Sequence, residues 1–433
     1  RHGGSIMPIA VHSEIGRLRS VVVHQPGREI DRMTPSMMQD LLFDDILHGA
    51  RAREEHRRFQ QVLRLFAEVL EVQDLLGEVL ADQDRRKLVL ADLAATLRLP
   101  APVQERLADL DPEKLAAALV EGLEQPHPEI TGSIDSLFLL PPVPNYFFQR
   151  DPVIPVGDRL VRGSMATPAR LREPLVSGAV FEHHPRFARP DGIFWFHEFR
   201  AAWGKNVSYA RMRPHIEGGD VLVLREDLLA IGYSERTEET TIERLSEALK
   251  KAGSAVRTII VMAIPHERSF MHLDTLFTQA SEGECLCYAP MVLAGGAEEA
   301  DVYSVDLTQD EISWTPENDF LSALKKRGLD LEPISCGGSD PIDEQREQWT
   351  DGANVFAVAP GIIICYDRNE RTADELDRHG YEIVRDDDLL LGRREIDPKG
   401  GRKYAIQLST TELARARGGP RCMTMPLVRE RLS

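Results

Sequence analysis

The sequence predicts an α/β protein assembled from repeats of one small unit, with a block of helices set into it. Three observations carry that reading. First, Gly219-Asp220-Val221-Leu222-Val223-Leu224, a turn, Leu228 to Tyr233 and Glu235-Arg236-Thr237 match Ala353-Asn354-Val355-Phe356-Ala357-Val358, the turn Pro360-Gly361, Ile362 to Asp367 and Glu370-Arg371-Thr372. A fainter third copy starts at Asp151 and passes through Gly157-Asp158 to Gly163. Second, each copy reads as a strand, a tight turn, a second strand and then a helix such as Thr240 to Lys251, because short β-branched runs are bounded by turn residues. Third, no proline interrupts the chain between Pro35 and Pro100, where Leu, Ala, Glu, Arg and Gln dominate, a composition that favours helix.

Taken in order, the elements begin with a short β segment, Leu18 to His24, closed by the turn signal Gln25-Pro26-Gly27. Phe59, Val62, Leu63, Phe66, Val69 and Leu70 then recur at i, i+3, i+4 and i+7, the spacing of an amphipathic helix. At least two long helices are expected before Pro100. Another helical tract, Asp111 to Leu123, opens with Asp-Pro-Glu, an N-cap followed by Pro at the first helical position. Gln73 to Gly132 together read as a helical bundle, and from Pro141 onward short strands alternate with helices. Repeats of one supersecondary unit imply a pseudo-symmetric closed or stacked architecture. Asp151, Asp220 and Asn354 stand at the same place, heading the first strand of their copies. Gathered around an axis they would form a central site; as simple turn caps they would serve only the backbone.

Composition narrows the function classes. The 433 residues are 42% hydrophobic and 28% charged, which excludes intrinsic disorder, collagen and a small disulfide scaffold. Lys and Arg total 52 against 70 Asp and Glu, a net charge of −18, so a phosphate-neutralising nucleic-acid surface is not expected. Apolar runs such as Val355 to Cys365 are broken by Pro360 and Gly361 and fall short of the roughly 20 residues that span a bilayer. No membrane partner is expected, and with no basic-then-apolar opening the expected compartment is the cytoplasm. The 5 cysteines lack regular spacing, which fits a reducing compartment, and Cys285, Cys287 and Cys365 read as core packing.

Four segments combine reactive side chains with glycine or proline: Asn145-Tyr-Phe-Phe-Gln-Arg-Asp151-Pro, His215-Ile-Glu217-Gly-Gly-Asp220, Met271-His272-Leu-Asp274-Thr, and Arg417-Gly-Gly-Pro-Arg421-Cys422-Met-Thr-Met-Pro426. In an extended segment His272 and Asp274 would leave the same face, where a carboxylate orients an imidazole and raises its pKa. Cys422 follows glycines and a proline that cannot continue a helix, beside Arg421, and a nearby cation favours the thiolate. Singly, each segment is also compatible with a structural histidine or a buried inert thiol.

Together, in this order, the four segments resemble the signature blocks of the arginine deiminases, in the guanidine-modifying superfamily with the pentein fold. Leu41-Leu42-Phe43-Asp44-Asp45, and Arg346-Glu347-Gln348-Trp349 with Gly352 and Asn354, extend the likeness from about Val11 to Arg429. The resemblance implies a fivefold pseudo-symmetric α/β propeller of ββαβ units with an inserted α-helical bundle: residues 8–72 and 133–433 catalytic, 73–132 the insert. It implies hydrolysis of L-arginine to L-citrulline and ammonia without metal or cofactor. Cys422 would be the nucleophile, His272 the general acid/base, and Asp151, Glu217 and Asp274 the carboxylates that hold the guanidinium. Arg170, Arg236 and Arg417 would hold the substrate α-carboxylate, with Asn145, Leu42 and Phe148 lining the pocket; contact between Arg421 and the substrate is left open. A homo-oligomer, dimer or tetramer, is implied as well. The alternatives are a related agmatine deiminase, dimethylarginine hydrolase or amidinotransferase, a non-catalytic arginine-binding protein, or a zinc hydrolase using His272, Asp274, Asp220 and Cys422, for which no H-x-x-x-H or C-x-x-C spacing speaks.

Overall fold

The computed structural model describes residues 6–128, 134–187 and 214–432. Within them the chain is mixed α/β, and its central strands are continuous apolar runs because both of their faces are covered. Thr258–Ala263 and Ile362–Tyr366 are examples, with Ile259 to Met262 and Ile362 to Tyr366 all buried. Six sheets form among the described residues: the two-stranded Leu123–Glu124 with Phe138–Leu140, and five others built around an antiparallel pair. In four of them an antiparallel pair is extended by a parallel strand: Met425–Arg429, Leu18–Val23 and Glu68–Glu71; Val221–Arg225, Leu228–Tyr233 and Thr258–Ala263; Phe277–Gln279, Glu284–Cys287 and Glu332–Ser335; Phe356–Ala359, Ile362–Tyr366 and Lys403–Leu408. The fifth is the antiparallel pair Val153–Val156 and Arg159–Arg162.

Parallel neighbours need a crossover, and helices supply it. Helix Glu239–Lys251 joins Leu228–Tyr233 to Thr258–Ala263. It buries Ile242, Leu245 and Leu249 on one face and ends in Lys250 and Lys251, cations favoured at a helix C-terminus. The repeat thus matches the sequence copies: two strands, then Glu239–Lys251 or Glu370–Arg378.

Between residues 72 and 121 four helices follow one another: Val72–Ala81, Gln83–Leu97, Ala101–Ala108 and Pro112–Glu121. Asp82 caps the second by accepting from the backbone N–H of Asp84 and Arg85, and Asp111 caps the last by accepting from Lys114, as an Asp-Pro-Glu start requires. These helices do not form a core of their own. Leu75, Leu76, Val79 and Leu119 pack in one cluster with Val176 and Phe181 of helix Glu173–His183 and with Val22 and Met425 of the sheet.

One helix is shorter than its sequence pattern. The amphipathic spacing through Phe66, Val69 and Leu70 predicts continued helix, but helix Gly49–Arg64 stops and Glu68–Glu71 is a strand, with Val69 opposite Val21 and Leu70 opposite Val22. The open edge of Leu18–Val23 offers these residues a hydrogen-bonded ladder and a half-buried face, which outweighs spacing. All five cysteines are free and buried. No helix among the described residues is long and apolar enough to cross a membrane.

Candidate active site

Each of the five sheets is preceded by a turn, and the turns are tied into a closed ring. The Asp151 carboxylate accepts from Gly219 N at 2.9 Å, and the Asp220 carboxylate from Leu273 N at 2.9 Å. The Asn354 amide donates to Asp274 O at 3.0 Å, and its oxygen accepts from Arg421 N at 3.0 Å. Arg150 N closes the circle onto Cys422 O at 3.0 Å. Asp151, Asp220 and Asn354 are therefore both turn caps and members of a central cluster, and Asp274 and Cys422 occupy the two remaining slots.

At Cys422 the surroundings are anionic. Its Sγ has Asn354 Nδ2 at 3.2 Å and Asp274 Oδ2 at 3.7 Å. Burial first, then the charges of Asp274, Asp351 and Asp151, push the thiol well above its ordinary range, so the resting group is a thiol. The expected activating cation is elsewhere: Arg421 points away from the cleft, donating to Asp274 Oδ2 at 2.8 Å, to both Glu14 oxygens at 2.9 and 3.1 Å and to Val221 O at 2.9 Å. Arg421 is 1% exposed and is absent from the cleft lining. Asp274 Oδ1 is buried without a hydrogen-bond partner, an acceptor left vacant beside the sulfur.

His272 lines the same cleft. Its Nε2 lies 2.8 Å from Glu217 Oε2. Burial opposes the charged ring, but Asp151, Glu217 and Asp220 overcome it and raise the pKa to about 9. The expected extended pairing of His272 with Asp274 is not seen. Leu273–Thr275 is a 3₁₀ turn, which sends Asp274 toward Arg421 and Cys422, and Glu217 takes the orienting part. Backbone contact is close here, since a Cβ on Gly219 would sit 2.6 Å from the His272 ring.

Arg170 also departs from its expected post. Its Nη1 is 2.9 Å from Asp151 Oδ2 and 3.4 Å from Glu217 Oε2, while Nε and Nη2 grip Glu173. The carboxylates expected to hold a substrate guanidinium are holding the protein's own. Asp151, Glu217 and His272 present ligand atoms within 4.8 Å of one another, a spacing that suits a cation, and the Arg170 guanidinium lies against two of them. About 30 Å³ of open space remains between Leu42, Asn145, Phe148, Arg170, Arg236, His272, Arg417 and Cys422, room for about one water.

The rim is built from strained backbone. Leu42 and Arg417 adopt φ of 65° and Asp351 of 63°, a left-handed conformation costing non-glycine residues about 1 kcal/mol or more. Asn145 Nδ2 donates to Leu41 O at 2.7 Å. Arg417 stacks on Trp349 with its guanidinium carbon 3.3 Å from the ring centroid, and donates to Asp44 at 3.3 Å and Arg268 O at 3.1 Å. Arg268 in turn donates to Asp44 at 3.0 and 3.2 Å and to Leu42 O at 2.9 Å. Gly418 leaves room for Phe148, whose ring would lie 2.2 Å from an added Cβ. Arg236 reaches Glu217 at 3.8 Å, and the Nε atoms of Arg236 and Arg417 are buried without a partner.

Several of these groups escaped sequence reasoning as site residues. Asn354 carried a signal, its slot in the repeat. Asp44 carried one too, its place in the block Leu41 to Asp45; its partner Arg268, and Glu173, three residues from Arg170, carried none beyond charge, and Glu14 lies outside every block.

Fold and cleft together define a mixed α/β enzyme whose cleft is lined by a buried cysteine near one carboxylate and a histidine on another. A model of the arginine deiminase family matches residues 39–429. The chain is 34% identical over 445 residues to the arginine deiminase of Latilactobacillus sakei subsp. sakei (strain 23K), covering 98% of this chain and 99% of that one. It is 33% identical to the arginine deiminase of Listeria monocytogenes serovar 1/2a (strain ATCC BAA-679 / EGD-e), over 98% of each. The chain belongs to the arginine deiminase family. In fold it is similar to the product-bound N-terminal domain of ArgZ, an arginine dihydrolase from the ornithine–ammonia cycle in cyanobacteria, with a TM-score of 0.50 at 15% identity over 95% of this chain and 97% of that one.

Proposed function

We propose that this chain hydrolyses L-arginine to L-citrulline and ammonia through a covalent thiouronium on Cys422. The observation that carries the reading is the guanidinium already in the cleft: Arg170 sits on Asp151 and Glu217, so these carboxylates fit the planar fork they would grip in the substrate. Arginine enters as Arg170 withdraws from Asp151 and Glu217, and the vacant Asp274 Oδ1 accepts a further N–H.

Neutralising the carboxylates removes the charges that hold the thiol up, so Cys422 gives up its proton to solvent and attacks as thiolate; the sulfur regains a proton from solvent once the product has left. A bond forms between Sγ and the guanidinium carbon. Protonated His272 gives its proton to one nitrogen, which leaves as ammonia with the electron pair of the broken C–N bond. Water then attacks the thiouronium carbon, His272 takes its proton, and the C–S bond breaks to return the thiolate. The proton left on the new carbonyl oxygen passes to solvent, where ammonia takes it up. Arg170, Arg236 and Arg417 are assigned to the α-carboxylate, supported by the buried, unpartnered Nε atoms of the last two. Asn145, Leu42 and Phe148 line the aliphatic path.

The ring of five turns supports reading the sheets as a fivefold pseudo-symmetric α/β propeller, with 8–72 and 133–433 catalytic and 73–132 the inserted bundle; residues 129–133 lie outside the described residues. Family resemblance extends the proposal to a cytoplasmic homo-oligomer, dimer or tetramer, which light scattering tests. Incubation with L-arginine should release citrulline and ammonia in equal amounts, and Cys422→Ala should release neither. Faster turnover of agmatine or a methylated arginine would move the assignment to a related guanidine enzyme.

A further inference from the structure

Three slots of the ring carry an acid, one the nucleophile, and one an amide. The amide is at the sulfur. Asn354 is 0% exposed and all of its side-chain polar capacity is committed: Nδ2 faces Cys422 Sγ at 3.2 Å and Asp274 O at 3.0 Å, and Oδ1 accepts from Arg421 N at 3.0 Å and Cys422 N at 3.4 Å. The matched positions in the other repeats are Asp151 and Asp220, whose carboxylates accept from the next turn in the same way. Capping alone would thus be served by Asp. A carboxylate in this slot would point a further anion at the sulfur; the amide keeps the acceptor and adds a donor.

Resting on the function proposed above, we infer that Asn354 is a further catalytic residue, whose side-chain N–H stabilises the Cys422 thiolate both when it attacks and when it is released. A donor aimed at a developing anion in a buried site strengthens as the charge forms. The groups facing the sulfur are otherwise anionic or neutral: Asp274, Asp351 and Asp151 by charge, and Tyr366 near by. The cations and the imidazole of the cleft, Arg170, Arg236, Arg417 and His272, are committed to carboxylates, to Trp349 or to the substrate. Asn354 Nδ2 is the side-chain hydrogen-bond donor placed on Sγ, beside the backbone amide of Gly419, which also favours the thiolate.

The test follows alkylation of Cys422 by iodoacetamide against pH, without substrate, in wild type, Asn354→Asp and Asn354→Ala, with Cys422→Ser as background. Asn354→Asp retains the oxygen that Arg421 N needs, and Asn354→Ala removes the donor without adding charge. The alkylation midpoint should rise by about one unit or more in Asn354→Asp and by less in Asn354→Ala. Arginine turnover should fall about 10- to 100-fold in Asn354→Ala and further in Asn354→Asp. Midpoints unmoved in both variants would overturn the assignment even if turnover fell, because Asn354 would then only space the backbone. Wild-type protein that formed no citrulline would sink the proposed function, while the alkylation shift would still decide the contact between Asn354 and the sulfur.

Discussion

Burial alone would strip His272 of its proton and keep the proton on Cys422, yet only the second happens. The difference is the company each keeps: Glu217 and Asp151 hold the imidazolium, whereas the thiol faces carboxylates with no cation on it. A general acid with a pKa near 9 is protonated at neutral pH and loses function as pH rises through that value. The kcat/KM profile for arginine should therefore fall above about pH 9, and Glu217→Gln should move the fall to lower pH while slowing turnover; a fall that stays in place would remove His272 from the acid role. His272→Ala should cost several orders of magnitude. Arg417 discriminates substrates in the proposed reading. Arg417→Ala should lower kcat/KM for arginine roughly 10- to 100-fold and for agmatine far less, with Arg417→Lys recovering only part, because the planar stack on Trp349 is lost. Equal loss for both substrates would make Arg417 a support of the rim and not a reader of the carboxylate.

At the scale of elements, the repeat was legible because tandem copies preserve strand, turn and helix chemistry together. The 3₁₀ turn at Leu273–Thr275 was not, since three residues carry too little pattern to separate a turn from a strand. That one turn decides which carboxylate serves which partner. The strand Glu68–Glu71 was hidden for a different reason: its fate depends on a ladder with residues some fifty positions earlier. The helices at 72–121 were legible as helices, but not the way they share a core with the sheet. Leu76 lies at 0% exposure among Val72, Val79, Leu119 and Phe181. Leu76→Ala should cost about 3 kcal/mol and, because the core is common, lower a single unfolding transition by calorimetry. A separate early transition would show the helices to be an independent unit.

Across the whole molecule, the buried pair of Glu14 and Arg421 joins residues separated by 407 positions. Neither the charge pattern nor any motif pointed to it, because Glu14 looks like one acid among 70 acidic residues. Burial opposes its charge, but Arg421, Arg150 and Arg429 outweigh burial and hold the carboxyl at about 2 against a usual 4.5. Such a group contributes stability that is fully present above pH 4.5 and is lost as pH falls toward 2. Glu14→Gln should lower the urea midpoint at pH 7 and flatten its pH dependence between 4.5 and 2. A wild-type midpoint that did not change across that window would contradict the pairing.

The ring of turns has one further consequence, which concerns what a single continuous polypeptide permits. Five identical subunits around an axis would have to place the same side chain in every slot. Five aspartates there would repel one another, and five cysteines would leave no acid to receive a cation. Covalent continuity lifts that constraint: Asp151, Asp220 and Asp274 remain acids, Asn354 is an amide and Cys422 a thiol, although the backbone arrangement around them repeats. In the proposed fivefold reading the geometry stays close to symmetric while the chemistry does not, and the axis would hold one directional reaction centre with a cation side and a sulfur side.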